Sequence, residues 1–249
     1  MPTVGFAFNL AQPPAYPAQT YRNTASMTQP LYTLHYTPDS AAMILRLALR
    51  QTGAPFAETL IDRPAGALDS PAYRAMQPLG KIPAMETPDG PMFETAAMLL
   101  YLADRHSGMA PAPDSPQRAA FLSWLFFTST NIHPTLLQVF YPERIGGKAS
   151  ADAVLTQAAA TLKSHFALLD QMVARNHPTW LSAQPGVLGF YVGVLLRWLA
   201  GFAPDHPAYL TTADLPALGP ILAALETCPA ARAVAGAEAC APTIFTNPY

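Results

Sequence analysis

Apolar positions fall into two regimes along this chain. Between residues 31 and 108 they come in short runs separated by polar turns rich in Pro and Gly. Beyond residue 117 they recur at helical spacing, and no strand-like run is found. In the first regime LYTLHY (31–36) has the β-branched and aromatic content of a strand. Pro38-Asp39-Ser40 then punctuates the chain. Met43, Leu47 and Leu49, set among Arg46 and Arg50, predict a helix with Asp39 or Ser40 at its start and Gly53 at its end. PFAETLID (55–62) predicts a second strand, and the polar stretch 63–80 has room for one short helix near residues 71–76. KIPAMETPDGPMFE (81–94) places two short apolar runs around Pro-Asp-Gly, a hairpin signal. TAAMLLYLADRHSG (95–108) predicts a helix that stops at Gly108.

The element order over residues 31–107 is therefore β-α-β-α-β-β-α. MAPAPDSP follows, and residues 108–116 read as a linker. Residues 117–249 carry helical patterns at about 117–141, 150–175, 186–202 and 215–227, with a last short helix after Pro229. The fold class is an α/β domain followed by an all-α domain. Residues 1–30, rich in Pro, Ala, Gln and Thr without hydrophobic period, read as a flexible leader.

Composition narrows the function. Hydrophobic residues are 51% and charged residues 12%, which excludes a disordered chain and suggests an apolar surface patch of the kind that marks a subunit interface. A net charge of −2, with 14 scattered basic residues, offers no footprint for nucleic acid or for an anionic membrane surface. No run reaches the ~20 apolar residues of a membrane span; the longest, VLGFYVGVLLRWLAGF, is broken by Arg197 and reads as a buried helix. Two cysteines, Cys228 and Cys240, make neither a disulfide framework nor a metal set, and fit free thiols in a reducing cytoplasm. No His, Cys or acidic spacing points to a metal.

One stretch is more specific. Gln77-Pro78-Leu79-Gly80-Lys81-Ile82-Pro83-Ala84-Met85, a hairpin, then Glu94-Thr95-Ala96-Ala97-Met98 and Tyr101-Leu102 resemble the glutathione-binding segment of glutathione S-transferases. The resemblance extends in element order over about residues 31–240. It implies a thioredoxin-like first domain and an all-helical second domain of the glutathione-transferase type. In that family a cis proline, here Pro83, leaves the backbone of the residue before it, here Ile82, free to pair with the cysteinyl part of glutathione. Glu94 and Thr95, at a strand-to-helix junction, would take the γ-glutamyl end, with Lys81 beside them. Taken singly, Ile-Pro also suits an edge strand and Glu-Thr a helix cap.

LHYTPDSAAMILRLAL resembles the first strand and helix of bacterial, beta-class members, but Ala41 stands where that class has its cysteine. The cysteine chemistry of the class is therefore not carried over. A hydroxyl beside the positive end of the first helix can lower a thiol pKa from its usual ~8.5. Ser40 is the first candidate, followed by Tyr36 and Thr37; Ser40 can equally cap its own helix. Asp39 would disfavour a thiolate by like charge unless it turns away. FLSWLFFTSTNIHPTL resembles the beta-class helix whose histidine reaches the thiol, which makes His133 a further catalytic candidate. Trp124, Phe127, Phe140 and Tyr141 could line an apolar co-substrate pocket, or serve as plain core. The helix at Gly186 lacks the family's cap residues: glycines stand at 186 and 189.

These readings converge on a cytoplasmic, homodimeric, detoxification-type enzyme with glutathione as co-substrate and a small hydrophobic electrophile as its partner. The alternative is a non-catalytic relative that keeps the tripeptide cradle, or just the fold, for ligand carriage or protein assembly.

Overall fold

The computed structural model describes residues 29–249 other than residues 239 and 242. The leader expected over 1–30 therefore falls almost wholly outside the described residues. The elements are β1 (Tyr32–Tyr36), α1 (Ala42–Thr52), β2 (Phe56–Leu60), α2 (Pro71–Met76), β3 (Ala84–Thr87), β4 (Gly90–Met92) and α3 (Thr95–Arg105). They are followed by α4 (Arg118–Phe127), α5 (His133–Phe140), α6 (Glu143–Asn176), α7 (Val187–Ala200), α8 (Leu218–Leu225) and α9 (Pro229–Ala237). The first seven form a four-stranded sheet in the order β2-β1-β3-β4, with β1 parallel to β2 and antiparallel to β3. This is the thioredoxin-like arrangement the resemblance implies, followed by the expected helical domain.

Helix α1 explains the joining of the two halves. Its residues Ala42–Leu49 are all buried, because one side lies on the sheet and the others meet α3, α7 and α9. A helix covered all round must be apolar all round, and Arg46 is the one charge within that buried stretch. The core is continuous from Leu34 and Met85 in the sheet to Phe190 and Leu195 in α7.

Two boundaries differ from the sequence pattern. The helix expected over 117–141 is interrupted by a π-turn at Thr128–Ile132, which separates α4 from α5. Pro134 lies just beyond it and has no N–H to continue the α-helical ladder, so the chain takes a wider turn before resuming. Helix α6 begins at Glu143 rather than near 150, with a break at Gly147 (φ 64°, ψ 175°) that only glycine tolerates easily.

The missing cap of α7 also finds an answer. Gly186 starts the helix without a side-chain cap, and the Val187 N–H donates instead to the Met109 carbonyl of the linker at 3.0 Å. A Cβ at Gly186 would stand 3.2 Å from that same carbonyl oxygen, and one at Gly189 only 2.6 Å from Leu225 Cδ1. The glycines exchange a local cap for close approach of neighbouring chain.

Candidate functional site

The first pole of the site is built on backbone. The Ile82–Pro83 peptide is cis and sits directly before β3. Gly80, at φ 59°, makes the turn into it; a Cβ there would meet the Arg74 guanidinium at 2.7 Å. Arg74 in turn donates to the Pro78 carbonyl at 2.7 Å, and the Tyr73 hydroxyl donates to the Lys81 carbonyl at 2.7 Å. Burial pushes the Tyr73 pKa up to about 12, so the hydroxyl stays a donor. The segment ahead of the cis bond is thus held from α2.

Glu94 precedes α3 at φ 70° and ψ 112°, a conformation that costs a non-glycine residue about 1–3 kcal/mol. Its side chain is exposed, while Thr95 behind it is buried. The first N–H groups of α3 have no acceptor within their helix, and together with the positive helix end they suit a carboxylate.

The second pole, at the start of α1, is built on side chains from afar. Ser40 donates its hydroxyl to the Thr37 carbonyl at 2.7 Å and accepts the Ala42 N–H at 3.3 Å. It therefore caps its own helix. Asp39, the other candidate cap, does not: it takes a left-handed conformation (φ 44°) and reaches into the helical domain. Its carboxylate accepts from Trp198 Nε1 at 3.0 Å and from Arg197 Nε at 3.3 Å, and its backbone N–H donates to Glu238 at 2.9 Å. Arg197 also donates to the carbonyls of Ile244 and Pro248 and lies 4.7 Å over the Tyr249 ring. Glu238 is paired in turn with Arg46, which also holds Glu58. Burial pushes the Glu238 carboxyl up, and the Arg46 charge opposes it. Burial works against Arg46 too, but the two carboxylates more than reverse that.

The remaining candidates separate. Tyr36 belongs to the Arg46 cluster, its ring 4.1 Å beneath the guanidinium, and burial raises its pKa against the pull of Arg46. His133 follows the π-turn. Its ring lies 6.4 Å from that of Trp198, the residue bound to Asp39. Its Nδ1 is 2.9 Å from the Tyr191 hydroxyl. Burial, with Lys81 adding, pushes the His133 pKa down to about 4, so the imidazole is neutral at physiological pH. Phe140 packs near Trp198 and stacks on Phe202 at 5.3 Å, and Tyr141 adjoins it. Trp124 and Phe127 instead pair with each other, next to His165.

Sequence reasoning missed Tyr191, Trp198, Arg197 and Glu238. Arg197 carried a signal: a charge inside the longest apolar run of the chain requires a buried partner. Among the described residues no group of three or more His, Cys, Asp or Glu side chains is placed to hold a metal, and no helix is long and apolar enough to cross a membrane. A cavity of about 260 Å³ between the linker and the start of α7 is lined by Met109, Gln117, Trp180 and Gly186 and contains none of the site residues.

Residues 40–105 match the glutathione S-transferase N-terminal domain family. The solved structure of a sphingomonad glutathione S-transferase complexed with glutathione is 30% identical and superposes with a TM-score of 0.66, over 84% of this chain and 100% of that one. Glutathione S-transferase GST-4.5 of Xanthomonas campestris pv. campestris is 26% identical over 66% of this chain and 81% of its own. A probable elongation factor 1-gamma 2 of Arabidopsis thaliana is 32% identical over 43% of this chain, which spans only 26% of that protein.

Proposed function

The chain belongs to the glutathione S-transferase family, and from that premise we propose that it transfers the glutathione thiolate to a small hydrophobic electrophile. The γ-glutamyl carboxylate of glutathione sits on the N-terminus of α3 at Thr95, and Glu94 takes its ammonium. The cysteinyl backbone pairs with Ile82 ahead of Pro83, and Lys81 borders the site. The sulfur then lies at the start of α1, where the positive helix end favours thiolate. The thiolate attacks the electrophilic carbon, the displaced group or the enolate carries away the electron pair, and the thiol proton passes to solvent.

The observation that supports this reading most is the cis Ile82–Pro83 peptide ahead of β3, with Glu94 and Thr95 at the start of α3. Asp39 no longer opposes thiolate, because Arg197 and Trp198 hold its carboxylate. Ser40 has its proton on the Thr37 carbonyl and must rotate to reach sulfur. We place it behind His133 as the thiolate donor, and Tyr36 last. The protein acts as a cytoplasmic homodimer in this proposal, with Phe140, Tyr141 and Trp198 facing the electrophile.

The committed Ser40 hydroxyl, with Ala41 in place of a cysteine, supports a second reading: a non-catalytic glutathione-binding or assembly protein. Two measurements decide. Millimolar glutathione raises the unfolding temperature if the cradle binds it, since a ligand of the native state must do so; no rise defeats the transferase and the glutathione-binding readings and leaves only assembly. Turnover of aryl halides, enones and epoxides is then compared for wild type, Ser40→Ala and His133→Asn. Loss in His133→Asn with activity kept in Ser40→Ala supports the enzyme reading as stated, and no turnover of any compound by wild type supports the non-catalytic one.

A further inference from the structure

We infer that Tyr191 is a positioning residue of the thiol site: its hydroxyl donates to His133 Nδ1 and so locks the imidazole as the Nε2–H tautomer, with that N–H directed at the glutathione sulfur. The inference rests on the glutathione reading above. Tyr191 lies within α7 and is only 1% exposed, in a helix whose residues from Val187 to Arg197 are all buried. A phenol oxygen in such a place must be hydrogen-bonded, and His133 Nδ1 at 2.9 Å is its partner.

The direction of that bond follows from burial. Among the hydrogen bonds of the described residues, the Tyr191 hydroxyl has His133 Nδ1 as its partner. Were Nδ1 to donate, the phenol O–H would be buried without an acceptor, which costs more than leaving a lone pair unused. Burial holds Tyr191 as the protonated phenol and His133 as the neutral imidazole. A neutral imidazole that accepts at Nδ1 carries its proton at Nε2. The opposite tautomer would present a lone pair to the sulfur and repel a thiolate.

The π-turn over Thr128–Ile132 sets where His133 falls at the start of α5, and from there its ring meets Tyr191 on α7. The Lys81 charge acts on His133 in the direction that favours the neutral imidazole. The donor is also insensitive to pH over the working range, since His133 gains a proton only near pH 4.

The test uses histidine nitrogen NMR on the free protein together with the ultraviolet absorbance of glutathione thiolate in the complex. Wild type shows His133 as the Nε2–H tautomer. In Tyr191→Phe the two tautomers mix, the thiol of bound glutathione becomes about threefold to tenfold less acidic, and kcat falls by a similar factor while the KM for glutathione holds. An Nδ1–H tautomer in wild type overturns the inference, and so does an unchanged thiol acidity in a Tyr191→Phe protein that binds glutathione normally. Should Tyr191→Phe fail to fold, the wild-type tautomer decides alone: Nε2–H supports the inference and Nδ1–H refutes it. Failure of wild type to bind glutathione would defeat the proposed function, while the tautomer, read without glutathione, still judges Tyr191.

Discussion

The two poles of the proposed glutathione site, its cradle and its sulfur end, are built in opposite ways. The cradle at Ile82-Pro83 and Glu94-Thr95 is local: backbone groups near one cis bond and one helix start, with α2 holding the turn within ten residues. The sulfur end at Asp39–Ala42 is remote: it is fastened by Arg197, Trp198 and Glu238, more than 150 residues along the chain. A backbone-built site needs particular residue types at fixed local spacing, so it leaves a motif. A side-chain-built site needs only that the fold bring partners together, so it leaves none.

That contrast explains what could be read beforehand. The strand and helix order over residues 31–107 and the α3 start follow from local pattern, and the cis proline follows from the resemblance of the motif around it. Asp39 could not be placed from sequence. A polar residue at a helix start normally caps it, but tertiary partners outbid that preference and left Ser40 to do so. His133 was legible only through resemblance. Its partner Tyr191 was hidden inside the apolar run that predicted a buried helix, since a single hydroxyl hardly changes the hydrophobic period.

If the sulfur end is a tertiary construction, breaking its buried pairs must cost stability. The largest effect is expected from Arg46→Met. It leaves Glu238 buried without its cation, a loss of about 3–5 kcal/mol in urea denaturation. A loss under about 1 kcal/mol would show that the Arg46–Glu238 pair does not fasten the pole.

His133 gives the next effect, and it depends on pH. Its folded pKa of about 4 lies below the ordinary 6.5. The unfolded chain therefore takes up the proton first, and stability is lost as pH falls from about 6.5 towards 4. At most about 3 kcal/mol is involved. In His133→Asn the difference in unfolding free energy between pH 7 and pH 4.5 should shrink; an unaltered acid slope would place the effect elsewhere.

The cradle should respond differently. Thr95→Val removes one hydroxyl from the α3 start and should weaken glutathione binding by about 1–2 kcal/mol in calorimetry, with little change in unfolding. Equal loss in both measurements would mean that the cradle is structural. The smallest effect separates strain from function. Glu94→Gly relieves the positive φ but loosens the unfolded chain, so net stability should change by less than about 1 kcal/mol while glutathione affinity falls.

The most direct test of a two-pole site is the structure with glutathione bound. The account predicts the γ-glutamyl carboxylate at the Thr95 N–H, the cysteinyl amide paired with Ile82, and the sulfur within hydrogen-bond distance of His133 Nε2 at the start of α1. A tripeptide seated on the cradle with its sulfur directed away from both His133 and the α1 turn would contradict it.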